Sequence, residues 1–334
     1  MSINDIKLIV KHIQLLYIKR VKSILIRSLV ISKKFKLKET YIQNVFDLVR
    51  DKYVHLFLKY NRDYILNYYS KNNNGIFYEK ELSFLRRNEE ITIFPYAQIK
   101  EMDEIISGFD SVQLMPFVLH KNKKLYFPVE FSVEKAVINY KNYICTENIL
   151  GGQFSEKAPH QYQTEAFCVH EDDVVLDVGC AEALFALDII DKAKKVYLFE
   201  NDEKWIKPLS ATFQPYSEKV VIINKLVSNV DTLKSITLTS ALQNENEDNL
   251  FIKMDIEGYE CEVIKSSEKL LSQNRNIKIA CCTYHRQEDA FILKNLFEKL
   301  KYKIEFSDGF MIPLTCIKPP YFRNGIIRAH KEKT

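Results

Sequence analysis

The chain has 334 residues, of which 46% are hydrophobic and 28% are charged, values typical of a globular protein with one large or two moderate domains. Its seven cysteines are odd in number and lack C-x-x-C spacing, which disfavours a disulfide framework or a zinc site. No signal peptide opens the chain and no apolar stretch approaches the ~18 residues of a membrane helix, so we predict a cytoplasmic protein.

The net charge of +4 is unevenly distributed along the chain. Residues 1–38 contain ten lysines or arginines and one acid, a net charge of +9 that leaves −5 for the rest. Apolar residues recur there at helical spacing: Ile6, Ile9, Val10, Ile13, Leu16 and Ile24. The segment is therefore a basic helix packed on its own protein, or one that docks on an anionic membrane surface or a protein partner. Nucleic-acid binding is not expected, because no aromatic-basic interleaving accompanies the charge.

Helical periodicity continues to about residue 70 and stops at KNNNG (71–75), an Asn-rich breaker that ends in glycine. From 76 to about 150 the pattern is mixed, with strand-like runs at ITIFPY (91–96) and LYFPVEFSV (125–133). We therefore predict a mainly helical or mixed N-terminal region over 1–150 and a second domain over 151–334.

Regular alternation of apolar strands and amphipathic helices begins after about residue 165. The predicted strands are VVLDVG (174–179), VYLFE (196–200), VVIIN (220–224), FIKMDIEG (251–258) and IKIACCTYH (277–285). Uninterrupted apolar runs separated by helices predict an α/β fold, whose parallel sheet is covered on both faces. At the end, YKIEFS and GFMIPLTCIK flank Asp308-Gly309, which favours a closing antiparallel hairpin.

Ligands of such sheets bind beyond the carboxyl ends of the strands, so residues at these ends are the candidates for function. Asp177 closes the first strand, and Gly179 opens a turn where a missing Cβ allows close backbone approach. Glu200 closes the second strand, 21 residues after Gly179. That is about the spacing at which an acid binds the ribose hydroxyls of a nucleoside.

The fourth strand ends in a cluster of carboxylates, Asp255, Glu257 and Glu260. Glu257 and Glu260 also suit the start of a helix, where its dipole favours anions. Asp255 lies at the strand end, and His285 ends the fifth strand, so we predict that these two side chains meet in the crevice.

These motifs resemble the FkbM family of methyltransferases over about residues 160 to 320. The similar segments are VVLDVGCAEALFALDII, VYLFE, FIKMDIEGYECEVIK and YKIEFSDGFMIP, of which the K-x-D-x-E-G-x-E string is the most specific. The resemblance implies a Rossmann-like class I methyltransferase sheet, seven-stranded and mostly parallel with a C-terminal antiparallel hairpin. It also implies S-adenosylmethionine as the cofactor.

By that resemblance, Asp177 and Gly179 hold the methionine end of the cofactor together with Cys180 and Ala181. Glu200 and Asn201 would contact the ribose, and Asp255 would lie near the transferring methyl group. Val227 and Ser228 would border the adenine. His160, Gln161 and Tyr162 lie where the chain of the family folds over the cofactor, so they are further candidates for binding it.

The sequence departs from the family pattern in three places. Ala181 and Ala183 stand where glycines are common, Asn229 stands where an acid is common, and LTSA (238–241) lacks an expected aspartate. Glu200 and Asp255 are kept, so an active enzyme remains the prediction.

The resemblance implies O-methylation, of a sugar in a surface polysaccharide or of a natural product. A hydroxyl acceptor needs a base or a metal ion. His285 is the candidate base, and no metal is predicted unless Asp255 and Glu257 hold a divalent ion. Two alternatives are a methyltransferase-like scaffold without turnover and an NAD-type oxidoreductase. The second shares the acid at the ribose, but K-M-D-I-E-G and the closing hairpin argue against it.

Overall fold

A computed structural model describes residues 39–333, apart from 244, 246 and 315–317. The predicted basic helix of residues 1–38 lies outside the described residues. Within the described part, no helix combines the length and the apolar character needed to cross a membrane.

Backbone contacts divide the chain into two units, residues 1–64 and 65–334. Helix α1 (Glu39–Ser70) confirms helix formation in the described part of the predicted N-terminal helical region, and it ends directly before KNNNG. The boundary predicted near residue 150 stays a prediction.

Between residues 71 and 150 the chain forms short elements. A 3₁₀ helix (Asn73–Tyr78) is followed by α2 (Glu79–Arg87), the antiparallel strands β1 (Ser107–Asp110), β2 (Met115–His120) and β3 (Lys123–Tyr126), α3 (Val133–Lys141) and one π-helical turn (Asn142–Thr146). The strand predicted at 91–96 is absent, and the one predicted at 125–133 is wrong beyond Tyr126. Pro95 and Pro128 lie in these two runs, and proline supplies no N–H for strand pairing.

The remaining elements are, in chain order, β4 (Val174–Val178), α4 (Leu184–Ile189), β5 (Lys195–Phe199), α5 (Glu203–Phe213), a 3₁₀ turn (Gln214–Tyr216), β6 (Val220–Ile223), β7 (Leu226–Val227), β8 (Ser235–Ile236), α6 (Leu238–Ala241), β9 (Asn249–Met254), α7 (Glu260–Ser266), α8 (Glu268–Leu271), β10 (Asn276–Cys282), α9 (Asp289–Lys299), β11 (Lys303–Phe306), β12 (Phe310–Met311), β13 (Arg323–Asn324) and β14 (Ile326–Lys331). Each of the five predicted parallel strands is present, with its start within two residues of the predicted position. Most residues of these strands are apolar because both faces of the sheet are covered, although Asp177 and Lys253 are buried charged exceptions.

Seven strands form one mixed sheet in the order β11-β14-β10-β9-β4-β5-β6. The pairs from β10 to β6 are parallel, whereas β14 is antiparallel to both of its neighbours. One apolar core cluster includes Leu184 and Leu209 from α4 and α5, and the other includes Val263 and Phe297 from α7 and α9. The two clusters cover the sheet on its opposite faces, which confirms the predicted α/β fold.

The predicted closing hairpin is correct in its antiparallel pairing but wrong in its second strand. Strand β11 pairs with β14, not with the residues directly after Asp308-Gly309. Those residues form β12, which pairs with β13 outside the main sheet. Strand β14 (Ile326–Lys331) pairs with both β10 and β11. It therefore takes the place in the sheet that was predicted for the segment directly after Asp308-Gly309.

Candidate active site

A cavity of about 150 Å³ opens at the carboxyl ends of β4 and β9. Side chains from the turn after β4, from the ends of both strands and from the chain before β4 line it: Tyr143, Glu147, Ile149, His160, Tyr162, Asp177, Gly179, Cys180, Ala181, Glu182, Leu184, Phe185, Lys253 and Asp255. Six predicted cofactor residues besides Asp255 are among them, namely Asp177, Gly179, Cys180, Ala181, His160 and Tyr162. This edge is where ligands of doubly wound sheets bind.

The turn after β4 approaches the end of β9 so closely that only glycine fits at its start. Gly179 has a φ of +73°, and a Cβ built on it would lie 1.9 Å from the Asp255 carbonyl oxygen. Ala181 and Ala183 also adopt left-handed backbone, with φ of 45° and 59°. Alanine pays a steric cost of about 1–2 kcal/mol there. The turn thus keeps the geometry of a glycine-rich loop despite its two alanines.

Asp177 and Lys253 form a buried ion pair beneath the cavity. They are direct neighbours in the β4–β9 register, and Lys253 Nζ lies 3.0 Å from Asp177 Oδ1. The same ammonium group donates to the Gly179 carbonyl oxygen at 2.8 Å. Burial would lower the pKa of Lys253, but the charges of Asp177 and Asp255 raise it. Lys253 therefore stays an ammonium group that links Asp177 to the turn after β4.

Asp255 directly follows β9 and accepts hydrogen bonds from two tyrosines. The Tyr162 hydroxyl donates to Oδ2 at 2.9 Å, and the Tyr284 hydroxyl lies 3.5 Å from Oδ1. Burial would raise the pKa of Asp255, but the hydrogen bond with His160 and the charge of Lys253 hold it well below its ordinary value. Asp255 is therefore a carboxylate at every physiological pH.

His160 lies between Glu147 and Asp255, with its Nδ1 3.1 Å from Glu147 Oε2 and its Nε2 3.5 Å from Asp255 Oδ2. The loop that carries it is anchored because the Ser307 hydroxyl donates to the Pro159 carbonyl at 2.6 Å. Burial would lower the pKa of His160, but the hydrogen bonds to Asp255 and Glu147 raise it to about 9. This histidine is a cation at neutral pH.

His285 reaches Asp255 from the other side, as predicted. Its Nε2 lies 3.4 Å from Asp255 Oδ1, and its Nδ1 lies 2.8 Å from Oε1 of the fully buried Glu260. Burial would lower the pKa of His285, but the hydrogen bond to Glu260 and the charge of Asp255 raise it above its ordinary value. The sequence therefore placed Asp255 and His285 together correctly.

Among the residues that the structure describes, two groups of side chains are close enough to hold a metal ion: Asp255, Glu260 and His285, and His160, Asp255 and Cys282. In the second group the Tyr162 hydroxyl lies 2.9 Å from His160 Nε2 and 3.8 Å from Cys282 Sγ, where an ion would otherwise fit. Glu257, the predicted partner of Asp255 in a metal site, has a side chain that is 92% exposed. Its Oε2 lies 3.7 Å from His285 Nε2.

Glu200 follows β5 and contacts the turn after β4, although it does not line the cavity itself. Its Oε2 accepts the Ala181 N–H at 2.9 Å, and its Oε1 accepts the Asp202 N–H at 2.7 Å. Asn201 beside it is exposed. Glu200 thus lies beside the cavity, to which it is linked through Ala181.

Three other predicted residues are not brought to the cavity. Val227 is 2% exposed and belongs to an apolar core cluster, while the Ser228 hydroxyl donates to Asn229. Gln161 turns back and donates to the Gln163 carbonyl at 2.5 Å.

The sequence did not indicate seven of the cavity residues, of which three are apolar (Ile149, Leu184 and Phe185) and four are polar (Lys253, Glu182, Tyr143 and Glu147). A signal existed for Lys253, because a lysine within the apolar run FIKMD must be paired when it is buried. Glu182 was the one acid in the turn GCAEA. Tyr143 and Glu147 come from a segment with no regular pattern, and the residues alone gave no signal for them.

Part of the chain matches a known family. Residues 158–304 match the model of the methyltransferase FkbM domain. This stretch contains β4, β9 and β10, whose ends carry Asp177, Asp255 and His285. Residues 158–304 therefore form an FkbM-type methyltransferase domain, as the sequence motifs predicted.

Among solved structures, the chain is similar to the FkbM methyltransferase of Methylobacillus flagellatus KT, with 18% identity and a TM-score of 0.39 over 51% of this chain and 47% of that one. The similarity thus spans about half the length of that chain. Precorrin-6y C5,15-methyltransferase from Geobacter metallireducens GS-15 matches with 16% identity and a TM-score of 0.33, over 49% of this chain and 83% of that one. The search among curated proteins gave no match.

Proposed function

We propose that the protein is an S-adenosylmethionine-dependent O-methyltransferase whose acceptor is a hydroxyl group of a sugar or glycan, in a surface polysaccharide or a natural product. One observation carries the proposal. Within the FkbM-type domain, the Asp255 carboxylate lies where the cavity meets the two histidines, His160 and His285.

The cavity suits the methionine end of the cofactor. The Gly179 turn packs closely on the end of β9 and lines the cavity, and the lining contains four carboxyl groups. At about 150 Å³ the cavity is smaller than the roughly 300 Å³ of a typical ligand pocket, so it would hold only part of the cofactor. Asp177, Gly179, Cys180 and Ala181 would surround that part, with the ribose beside Glu200.

When bound, S-adenosylmethionine supplies an electrophilic methyl group on a sulfonium. The protein aligns the acceptor with that group and removes the hydroxyl proton. His285 Nε2 is the proton acceptor in this proposal, and Glu260 holds the ring through Nδ1. Asp255 orients the acceptor and stabilises the imidazolium that forms.

We further propose that the basic segment of residues 1–38 docks the enzyme on an anionic membrane surface or a protein partner, on the cytoplasmic side. The supporting observation is its net charge of +9 beside a wide apolar face.

Methyl transfer tests the proposal directly. The purified protein is incubated with cofactor that carries a labelled methyl group, together with candidate sugars and glycans. We expect label in a glycan hydroxyl with the wild type and strongly reduced label with His285→Ala. Cofactor binding without transfer to any acceptor would favour a scaffold without turnover.

A further inference from the structure

Glu182 is a carboxylic acid in the lining of the cavity to which the proposed function assigns no role. It lies in the turn after β4 between the two left-handed alanines, Ala181 and Ala183, and it lines the cavity. Its residue exposure is 7%. A carboxyl group so deeply buried is costly unless a partner compensates its charge.

The other three carboxyl groups of the cavity have cationic partners within 4 Å. Glu147 and Asp255 contact His160, and Asp177 contacts Lys253. In the part of the chain that the structure describes, Glu182 has no such ion pair. Burial raises the pKa of Glu182, whereas its own backbone N–H and the charge of Lys253 lower it. The charges of Glu147 and Asp177 raise it further, and the Tyr143 hydroxyl is a neighbour of the carboxyl group.

Glu182 is thus the one carboxyl group of the four whose charged form would have no cation of the described residues within 4 Å. A cationic ligand group in the cavity would therefore be favoured beside Glu182. The methionine end of S-adenosylmethionine offers an α-ammonium group, which is also present in the product S-adenosylhomocysteine.

We infer that the Glu182 carboxylate binds the α-ammonium group of the cofactor and that binding expels the proton which Glu182 carries in the free protein. The inference rests on the proposed function, because it concerns the same cofactor in the same cavity. Glu182 is then a cofactor-binding residue that couples cofactor capture to proton release.

The proton balance follows from the burial of the side chain. Burial raises the pKa of Glu182 to about 8, so the group is mainly a neutral acid at pH 7. A bound ammonium group favours the charged form, and the carboxyl proton passes to solvent. At pH 7 most of one proton is therefore released for each ligand bound.

The first test uses S-adenosylhomocysteine, because its ammonium group is its one cation, and an analogue that lacks the α-amino group. Wild-type protein should bind the aminated ligand about 10- to 100-fold more tightly, as expected for a hydrogen bond between charged groups. Glu182→Gln, which keeps the shape of the side chain, should abolish this preference. Glu203→Gln, at an exposed position near the start of α5, is the matched control and should keep it.

The second test measures proton release by calorimetry at pH 7 in two buffers that differ in ionisation enthalpy. The wild type and Glu203→Gln should release close to one proton for each S-adenosylhomocysteine bound, whereas Glu182→Gln should release almost none. The wild-type measurement keeps the inference testable even if the variant folds poorly.

Binding of both ligands with equal affinity to the wild type, or unchanged proton release in Glu182→Gln, would overturn the inference. Glu182 would then be a buried neutral acid that serves Tyr143 alone. The proposed function would survive that result, since it fails only if the wild type binds neither S-adenosylmethionine nor its product.

Discussion

In the proposed mechanism, single charged side chains around Asp255 set the pH dependence of turnover. His285 would have to lose its proton before it could accept one from a hydroxyl group. Because its pKa is raised, turnover should increase with pH through a value above the ordinary ~6.5.

We expect His285→Ala to lower turnover about 10²- to 10⁴-fold while cofactor affinity changes little, since the residue acts on the acceptor. Rates measured against pH for the wild type, for His285→Ala and for the exposed control His170→Ala check both expectations. Wild-type turnover and a flat pH profile in His285→Ala would show that His285 is not the base.

The proposed role of Glu200 at the ribose is tested by measuring the affinity for the cofactor. Glu200→Ala should weaken cofactor binding by about 1.5–3 kcal/mol, the usual value of hydrogen bonds to a charged group. It also removes the acceptors of the Ala181 and Asp202 N–H groups, so the turn after β4 should loosen while the fold persists. Calorimetry against the exposed control Glu203→Ala measures the difference, and equal affinities would remove the ribose assignment.

At the scale of residues, the sequence indicated those candidate residues that lie at the ends of strands. Asp177, Gly179, Asp255 and His285 could be found because the carboxyl ends of neighbouring parallel strands meet. Val227 could not be placed, because whether a residue after a short strand faces a ligand or the core depends on tertiary packing. The pair of Asp177 with Lys253 was missed, since it requires the strand order and the register.

At the scale of the elements, the buried pair of Asp177 and Lys253 ties β4 to β9. Lys253→Met leaves the Asp177 carboxyl, which is fully buried, without its cation. We expect a loss of about 3–5 kcal/mol in the free energy of unfolding. The double variant Asp177→Leu/Lys253→Met should recover much of this loss.

Urea denaturation of both variants, with Lys207→Met as an exposed control, measures these values. A single variant as stable as the control would mean that the pair does not hold the two strands together.

Burial explains which elements could be predicted. The parallel strands are continuous apolar runs because both of their faces are covered, and their starts were found to within two residues. The small sheet of β1 to β3 was not resolved from the sequence, since its strands have four to six residues and mixed burial. The second strand of the closing pair was misplaced because an Asp-Gly link indicates a turn but not which later strand completes the sheet.

At the scale of the whole molecule, the excess positive charge lies in a segment that contains none of the predicted cofactor motifs. Residues 1–38 carry +9, and they precede the first cavity residue by about a hundred positions. Deletion of residues 1–38 should therefore reduce partition onto anionic vesicles of phosphatidylserine while cofactor affinity stays within about twofold.

Vesicle sedimentation and calorimetry of both proteins, with neutral vesicles as the control, check this expectation. A shortened protein that remains in solution and still partitions as well as the full chain would refute the docking role. Aggregation of the shortened protein would instead indicate that the segment packs on its own chain.

The central claim is that the cavity at the ends of β4 and β9 binds S-adenosylmethionine. Calorimetric titration of the full chain with this cofactor, and separately with NAD, tests it most directly. We predict saturable binding of one S-adenosylmethionine per chain, weakened in Glu200→Ala, and no binding of NAD. Saturable binding of NAD without binding of S-adenosylmethionine, or binding of neither, would contradict the account.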